Sequence, residues 1–308
     1  MDSILFLSAP LIERIWGSNY FKDELNRTDK DTLYGEMWSV SALSEASSII
    51  LNGTYKDKTL KEVYENNPSL FNNALANGFP ILIKIIATSD DLSVQVHPDD
   101  DYANKVENQN GKTEGWLILK AKENSQIVLG HNAKNKQELI NYINNDDYDN
   151  LLNKTNVKVG EFYPIPSGTI HALGKDIVLI EIQQSSDVTY RFFDYHRKDK
   201  FGNERQLHVD KAIDVTSYKK YDENIINCFD SNVKTIWDNK YFKVDLYDVN
   251  NQLTLNNTSN YLIVSVIEGN IKVNDKSLSL GDSFIVTHNC KSFSLTGNGK
   301  IIITESKI

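Results

Sequence analysis

The strongest constraint on the fold is the repetition of short, alternating apolar and polar runs along the second half of the chain. From residue 157 onward, runs such as YFKVDLYDV and LSLGDSFIV are separated by segments rich in Gly, Asn and Ser. Side chains of a strand alternate between two faces, so runs of this kind bury one face and expose the other. The pattern predicts a sandwich or barrel built mainly from β-strands.

The runs divide into two successive β regions, and the first also carries helical signals. We expect a first domain over 1–232, with a helical insertion at about 132–154, and a C-terminal β domain over 233–308. Asn135 and Glu138 mark the start of the insertion, where apolar residues recur at helical spacing.

Local signals add three further predictions. Thr59 and Glu62 have the spacing of a capping box, which predicts a short helix from about residue 60. The segment ASSIILNGTY predicts a strand with a turn at Asn52-Gly53, and YLIVSVIEGNIKVN predicts two strands about a turn at Gly269-Asn270.

Composition narrows the class of protein. Lys and Arg number 33 against 42 Asp and Glu, a formal net charge of −9, which disfavours binding to nucleic acid or anionic membranes. No apolar run has the length of a membrane span, and the N-terminal segment lacks the basic start of a signal peptide. Cys228 and Cys290 are expected to be free thiols, which favours the cytoplasm. We expect a monomer or a weak homodimer.

A short strand within LSVQVHPDD, residues 92–100, places polar side chains where a packed core would be apolar. Val94 and Val96 point to one face of this strand, and Gln95 and His97 point to the other. Two polar groups directed into the same space favour a binding cavity. The proline and the aspartates are expected to end the strand and to cap the next segment of the chain.

Two further segments supply side chains to the same cavity. GKTEGWLIL places Lys112 and Glu114 on one strand face, and GEFYPIPSGTIHAL contains a G-x₅-P-x-G-x₂-H turn that ends at His171. With Gln95 and His97, these residues offer two imidazoles, a carboxylate and an amide oxygen. That donor set suits a borderline divalent cation such as zinc, and we expect one Zn²⁺ per chain.

The order of these segments resembles a known enzyme family. The G-x₅-P-x-G-x₂-H turn is similar to the second motif of the cupin barrels, and VQVH followed by Glu114 resembles the first, with glutamine at its leading position. The segments ERIWG, GEMWSVSALSEASSIILNG, FPILIKIIATSDDLSVQVHPDD, DVTYRFFDY and RQLHVDKAIDV resemble landmarks of the type I phosphomannose (mannose-6-phosphate) isomerases in their short bacterial form. The C-terminal region resembles that family's second, metal-free cupin more loosely.

The resemblance implies roles for particular residues. The zinc ligands would be Gln95, His97, Glu114 and His171. The catalytic residues would be Lys112, Arg191 and Glu181. The phosphate contacts would include Ser93 and Arg197, and Lys84 or Arg191 would add a further cation to this basic pocket.

The implied reaction interconverts D-mannose 6-phosphate and D-fructose 6-phosphate through an enediol(ate). It needs a base near C1 and C2 and a group that stabilises negative charge on oxygen. Lys112 and Glu181 are both candidates for the carbon base, and the sequence does not choose between them. The planar guanidinium group of Arg191 has donors in a fixed geometry, which suits hydrogen bonding to the enediolate or to the phosphate.

Two rival functions remain open at this point. One is an iron-dependent cupin oxygenase, because two histidines and a carboxylate also hold iron. The other is a regulatory cupin that binds a sugar phosphate without turnover. Lys112, Glu181 and Arg191 together favour the isomerase.

Two smaller expectations concern residues near the motifs. Gly115 replaces a larger residue that is common in the family, and we expect this to widen the cavity. His131, His196, His208 and His288 are expected in loops, at the cavity rim or in structural positions, outside the metal site.

Overall fold

The computed structural model describes residues 3–74, 78–198, 202–230 and 234–308. Within these residues the α-helices, in chain order, are α1 Tyr20–Asp23, α2 Leu60–Asn66, α3 Asp100–Glu107, α4 Lys136–Asn144, α5 Tyr148–Leu151 and α6 Val209–Val215, and short 3₁₀ helices span Gly53–Tyr55 and Pro68–Phe71. The strands are β1 Ile4–Phe6, β2 Leu11–Ser18, β3 Tyr34–Val40, β4 Ile81–Ala87, β5 Val94–Val96, β6 Glu114–Ala121, β7 Gln126–His131, β8 Leu152–Asn156, β9 Glu161–Ile165, β10 His171–Leu173, β11 Ile177–Gln184, β12 Tyr190–Phe193, β13 Ile226–Asn227, β14 Thr235–Asp238, β15 Phe242–Asn256, β16 Leu262–Val273, β17 Lys276–Ser279, β18 Ser283–Val286 and β19 Ser292–Ser306.

Strands β2 to β13 form two sheets that face each other. Among the described residues, one sheet has five strands in the order β12-β5-β10-β7-β8, and the other has seven in the order β13-β9-β6-β11-β4-β3-β2. Leu129 and Leu173 of the five-stranded sheet pack with Ile118 and Leu179 of the seven-stranded sheet in the space between them. This arrangement confirms the mainly β class that the alternating runs predicted.

Helices cover the outer face of the five-stranded sheet. Val94 and Val96 of β5 point to this side, and they pack in one apolar cluster with Leu139 of α4, Leu151 of α5 and Ile213 of α6. The inner face of β5 is therefore free to carry the polar residues between these valines. The alternation predicted for this strand is confirmed.

The helix signals are confirmed at the level of single hydrogen bonds. Asn135 caps α4 by accepting a hydrogen bond from the backbone N–H of Glu138. Thr59 and Glu62 form the reciprocal capping box that begins α2. The predicted insertion is helical only as far as Leu151, since residues 152–156 form β8, which pairs with β7.

Strand β4 is buried on both faces, and the two faces contact different surroundings: one packs in an apolar core and the other lines a cavity. Ile83 and Ile85 point away from the five-stranded sheet and lie in one apolar cluster with Ile263 and Ile302 of the C-terminal region. Lys84, between the two isoleucines, points to the opposite side and lines a cavity between the two facing sheets. A continuous apolar run with one lysine therefore marks a strand between a core and a cavity.

The C-terminal strands form a third sheet with its own apolar core. Its strand order in the described residues is β1-β18-β16-β19-β15-β14, with β17 paired to β16. Val264, Leu295 and Ile301 belong to the cluster enclosed by this sheet. Strand β1 pairs with β18, so the start of the chain is hydrogen-bonded to this sheet. The division into domains at 232 and 233 stays a prediction.

One predicted turn is wrong, and another is confirmed. Gly269 does not reverse the chain, because β16 runs without interruption through it and pairs with β19 on both sides of an irregularity near Val266. Gly269 has a φ of +77° and lies opposite Gly299, so it bends a long strand at a close approach of two backbones. The turn at Asn52-Gly53 is confirmed, because the chain reverses through the 3₁₀ helix Gly53–Tyr55 and Ile49 then bridges Thr59 in the antiparallel sense. The strand predicted before it makes only isolated bridges, and the amide of Asn52 donates to the carbonyl of Ile4 and accepts from the N–H of Phe6.

Candidate active site

Three buried donor side chains meet between the facing sheets. His97 follows β5, Glu114 begins β6 and His171 begins β10, and one donor atom from each lies within 4.8 Å of the others. The Nε2 atom of His171 is 3.3 Å from Oε1 of Glu114, and that of His97 is 3.5 Å from Oε2. The strand register places Gln95 directly opposite His171, with its amide 3.4 Å from Nε2. The structure thus brings together all four residues predicted as metal ligands.

The second nitrogen of each imidazole fixes the orientation of its ring. Nδ1 of His97 lies 2.8 Å from the carbonyl oxygen of Val188, and Nδ1 of His171 lies 2.8 Å from that of Thr169. A carbonyl accepts a hydrogen bond, so Nδ1 carries the proton and Nε2 presents a lone pair to Glu114 and to the other ring. Metal-binding histidines are commonly held in this way.

The electrostatics of the donor set favour the metal-binding form of both imidazoles, whereas burial works against the ionised form of the carboxylate. Burial, aided by the charge of Lys112, lowers the pKa of His97 well below its usual value, and burial lowers the pKa of His171 to about 4. Both rings are therefore neutral at neutral pH. Burial, together with the charge of Glu181, raises the pKa of Glu114 to about 7. Its Oε1 is buried and has no hydrogen-bond partner among the described residues, so this oxygen can accept a cation.

Lys112 is the nearest cation to this cluster. Its Nζ donates to Oε2 of Glu114 at 2.5 Å and lies 3.1 Å from Nε2 of His97. Lys112 is only 3% exposed. A buried ammonium group is thus held at the edge of the donor set and also lines the cavity.

The cavity beside the donor set has a volume of about 390 Å³. Of the ten residues that the sequence singled out, those that line it are Lys84, Ser93, Gln95, Lys112, Glu181 and Arg191. Its wall also includes Trp16, which the family segment ERIWG indicated as a residue of the cleft, and residues that the sequence did not single out, among them Arg14, Glu36, Asp187 and Arg205.

A row of buried charges crosses the cavity face of the seven-stranded sheet. Glu181 of β11 lies opposite Lys84 of β4 and opposite Trp116 of β6 in the strand register. Nζ of Lys84 is 3.2 Å from Glu181 and 3.8 Å from Glu36, and Nε1 of Trp116 donates to Glu181 at 2.9 Å. Arg14 donates to both carboxylate oxygens of Glu36. Acids and bases alternate along this row, so each buried charge has a partner of opposite sign.

This alternation sets the protonation states. Burial disfavours the charged form of Glu181, but the charges of Lys112 and Lys84 outweigh it and lower the pKa of this carboxyl. Burial likewise opposes the charge on Lys84, but Glu181 and Glu36 raise its pKa. Glu181 is therefore a carboxylate and Lys84 an ammonium at neutral pH.

Arg191 and Ser93 form a second polar pair on the wall. Arg191 of β12 lies opposite Gln95 in the strand register, and its Nε donates to Oγ of Ser93 at 3.0 Å. Burial lowers the pKa of Arg191, and the charge of Arg205 lowers it further. Two guanidinium groups, those of Arg191 and Arg205, thus lie close together at this end of the cavity.

Arg197 is not brought to the cavity wall. It lies beyond β12, and its guanidinium contacts the side chains of Asp194 and Asp90 and the backbone carbonyls of Asp91 and Asp194. Asp194 also binds Arg205, at 2.5 and 2.6 Å. Arg205, which the sequence did not single out, lines the cavity instead.

Comparison with known proteins places this site in a family. A model of the type I phosphomannose isomerase catalytic domain matches residues 5–115, and a model of the mannose-6-phosphate isomerase cupin domain matches residues 232–306. The chain is 38% identical over 322 residues to the mannose-6-phosphate isomerase of Streptococcus mutans, with 99% of each chain covered. The chain belongs to the type I phosphomannose isomerase family.

Other family members agree in sequence and in fold. The mannose-6-phosphate isomerase ManA of Bacillus subtilis is 37% identical over 310 residues, with 98% of each chain covered. A crystal structure of the mannose 6-phosphate isomerase from the same organism superposes with a TM-score of 0.92 at 37% identity, covering 99% of this chain and 100% of that chain. The cupin fold predicted from the motifs is therefore confirmed.

Some residues of this isomerase site gave a signal in the sequence and others did not. Arg14 belongs to the same family segment as Trp16, ERIWG, so its position on the wall could also have been predicted. Glu36 faces the cavity because it lies on the inner side of β3, next to Trp38, whose Nε1 donates to it at 2.6 Å. Arg205 follows an irregular segment, where strand alternation gives no information.

The expectation for Gly115 is wrong. Glu114 and Trp116 face the interior, so a side chain at the position between them would point to the opposite face of β6. A Cβ atom at Gly115 would approach Phe162 at 2.3 Å and Trp237 at 3.0 Å. The glycine therefore allows close packing under the C-terminal region and does not enlarge the cavity of this family member.

The other histidines lie outside the donor set. His131 bonds the carbonyl of Ser217, His196 is exposed beside Asp146, and His208 precedes α6 and hydrogen-bonds with the backbone of Arg191. The metal-type cluster in the described ranges is confined to His97, Glu114 and His171.

Two predictions about the whole chain can also be compared with the structure. Cys228 and Cys290 are buried free thiols, as predicted. In the part of the chain that the structure describes, no helix is both long enough and apolar enough to cross a membrane.

Proposed function

We propose that the chain is a zinc-dependent aldose–ketose isomerase that interconverts D-mannose 6-phosphate and D-fructose 6-phosphate through a cis-enediol(ate). The observation that carries this proposal is the convergence, on one cavity, of a metal-type donor set with a buried row of paired acids and bases. The names of the Streptococcus mutans and Bacillus subtilis relatives support the substrate. In this role a cytoplasmic enzyme, monomeric or weakly dimeric, would link mannose and GDP-mannose metabolism to fructose 6-phosphate.

Gln95, His97, Glu114 and His171 would hold the metal ion. Two neutral imidazoles, a carboxylate and an amide oxygen suit zinc, and the buried Oε1 of Glu114 supports a cation at this position. A bound divalent ion supplies Lewis acidity toward the carbonyl and hydroxyl oxygens at C1 and C2.

Two groups on the wall can move the proton between C1 and C2. The carboxylate of Glu181 is ionised, because Lys112 and Lys84 lower its pKa, so it can accept a proton from carbon. Lys112 lies at the edge of the donor set, where it can hold or donate a proton at a sugar oxygen, or serve as the carbon base itself. The hydrogen bond from Trp116 fixes one oxygen of Glu181 and leaves Oε2 on the side of Lys84.

The end of the cavity that carries Arg191 and Arg205 would hold the phosphate. Ser93 and Arg191 already share a hydrogen bond there, and Arg191 has further donors in its guanidinium fork. Ser93 lies two positions before Gln95 on the same strand face, about 7 Å along the strand from this proposed ligand. The family resemblance also assigned Lys84 and Arg197 to substrate binding. Lys84 would act from the cavity wall, and Arg197 would act from behind that wall.

Metal analysis combined with activity tests this function. Purified protein should contain about one zinc ion per chain. Chelation should abolish the conversion of mannose 6-phosphate to fructose 6-phosphate in a coupled assay. Adding zinc back should restore this conversion, and the restored activity should not require oxygen. Turnover that requires oxygen and iron would support the oxygenase, and binding without turnover in zinc-loaded protein would support the regulatory cupin.

Matched variants separate the two candidate bases. Lys112→Met and Glu181→Gln should each lower turnover by orders of magnitude while zinc stays near one per chain. The variant that removes the carbon base should also stop exchange of the C2 proton of mannose 6-phosphate with solvent, measured in D₂O. Loss of zinc from Lys112→Met would contradict its assignment as a catalytic residue.

A further inference from the structure

Arg14 and Arg191, two cations on the cavity wall, differ in the groups to which they already donate hydrogen bonds. Arg14 is matched by the carboxylate of Glu36, to which it donates twice. Arg191 donates to the hydroxyl of Ser93 and the carbonyl of Gln206, which are uncharged. This leaves Arg191 as a cation on the wall without an ion-pair partner among the described residues.

Arg197 and Arg205 share one carboxylate, that of Asp194. Asp194 is only 5% exposed, and it accepts from Nη2 of Arg197 at 2.5 Å and from Nε and Nη2 of Arg205 at 2.6 and 2.5 Å. Burial opposes its charge, but the hydrogen bonds from Arg205 and Arg197 hold its pKa below the usual value. The carboxylate therefore orients two guanidinium groups at once.

The two guanidinium groups are not equivalent. All three nitrogens of Arg197 have acceptors, because Nε donates to the carbonyl of Asp194 and Nη1 to Asp90 and the carbonyl of Asp91. Arg205 donates to Asp194 from one edge only, and its Nη1 has no partner among the described residues.

The backbone explains which arginine reaches the cavity. Tyr195 and His196 both adopt left-handed φ values, of 54° and 53°, so the chain turns back directly after β12. The N–H of Arg197 then donates to the carbonyl of Asp194, and its side chain lies against Asp90 and Asp91. Arg205, later in the chain, lines the cavity.

We propose that Arg205 is the second guanidinium of the phosphate-binding end, that Asp194 directs it into the cavity, and that Arg197 is a positioning residue on the other side of Asp194. This inference rests on the proposed function, and it changes the role of Arg197 that the family resemblance implied. An Arg fork held by a carboxylate at one edge still offers donors to a phosphate oxygen from the other.

The test compares Arg205→Met with Arg197→Met, which remove the same charge from opposite sides of Asp194. The readouts are KM and kcat for mannose 6-phosphate and the Kd of inorganic phosphate by calorimetry, on the zinc-loaded protein. Arg205→Met should raise KM and the phosphate Kd by about tenfold to a hundredfold, the range of a lost charge-assisted hydrogen bond. Its kcat should fall less than KM rises.

Arg197→Met should raise both constants less than Arg205→Met does, and Arg205→Lys should recover part of the loss. A larger rise for Arg197→Met, or a Kd for phosphate that is the same in Arg205→Met and the unmodified protein, would overturn the inference. Zinc content and Tm separate these outcomes from misfolding, and the milder Arg205→Lys provides the comparison if Arg205→Met does not fold. If the unmodified protein did not isomerise the sugar, the proposed function would fail, while phosphate binding would still test Arg205.

Discussion

The two β regions of this molecule differ in how many charged side chains they bury. The interior of the first, between its facing sheets, contains Lys84, Glu114 and Glu181, each buried and charged or ionisable. The C-terminal sheet encloses an apolar cluster in which Val264 and Leu295 are fully buried, and the charged residue buried in this region among those described is Asp245. The same kind of strand thus builds a chemical site in one region and a packed core in the other.

The difference shows where the first region obtains its stability. Buried charges cost desolvation energy, which even a good ion pair offsets only in part. The outer face of the charged sheet compensates by packing against the C-terminal region, where Met37 and Ile85 lie next to Gly281 and in the same apolar cluster as Ile302. The C-terminal region therefore supports the site without contributing a metal-type cluster among its described residues.

The largest predicted effect separates chemistry from packing. His171→Ala removes a proposed metal ligand from the first region, and Leu295→Ala makes a cavity in the second. The first change should lower zinc content and reduce turnover by about 100-fold or more. The second should lower the free energy of unfolding by about 2–5 kcal/mol and leave zinc content and KM unchanged.

Zinc content, coupled-assay kinetics and chemical denaturation on both variants check this comparison. If Leu295→Ala reduced kcat/KM as strongly as His171→Ala at a temperature where both are folded, the C-terminal region would be part of the catalytic machinery. The distinction between the two regions would then be wrong.

The sequence predicted the donor set well because strand alternation and motif spacing are local. Gln95 and His97 had to share a face once Val94 and Val96 took the other, and the turn before His171 has a fixed form. Lys84 could be recognised for the same reason, as a lysine within the buried run ILIKIIA.

The sequence predicted less where the answer depends on contacts between distant segments. Whether Arg197 or Arg205 reaches the cavity depends on a loop that turns back at Tyr195, and neither periodicity nor charge indicates that turn. Considered without its distant neighbours, the Gly269-Asn270 pair indicates a turn. Gly269 is a bend only because Gly299, far along the chain, lies against it.

A smaller effect should come from the apolar layer between the two regions. Gly115→Ala would place a methyl group 2.3 Å from Phe162 and 3.0 Å from Trp237, so the neighbouring rings must move. Overpacking of this kind costs about 1–3 kcal/mol of unfolding free energy. Zinc content should not change, and the double variant Gly115→Ala, Phe162→Leu should recover part of the stability. A changed KM with unchanged stability would instead mean that position 115 faces the cavity.

The smallest effect is a pH dependence that arises from the charged interior of the first region. Burial opposes the charge of Glu36, but Lys84 and Arg14 outweigh it and lower its pKa from the ordinary value of 4.5. A carboxyl whose folded pKa is lowered stabilises the fold above its unfolded pKa, and this contribution is lost as the pH falls through the folded pKa. The unfolding free energy lost in Glu36→Gln should therefore be largest above about pH 4.5 and shrink below it, by at most about 1.4 kcal/mol per pH unit.

Ile303→Val, in the apolar core of the C-terminal region, is the matched control, since its cost of about 0.5–1.5 kcal/mol involves no proton. Denaturant titrations of both variants and the unmodified protein, from neutral to acidic pH, measure the two costs side by side. The cost of Ile303→Val should stay level while that of Glu36→Gln declines. A cost of Glu36→Gln that stayed level, or that grew as the pH fell, would show that the ion pairs of Glu36 with Arg14 and Lys84 do not stabilise the folded chain.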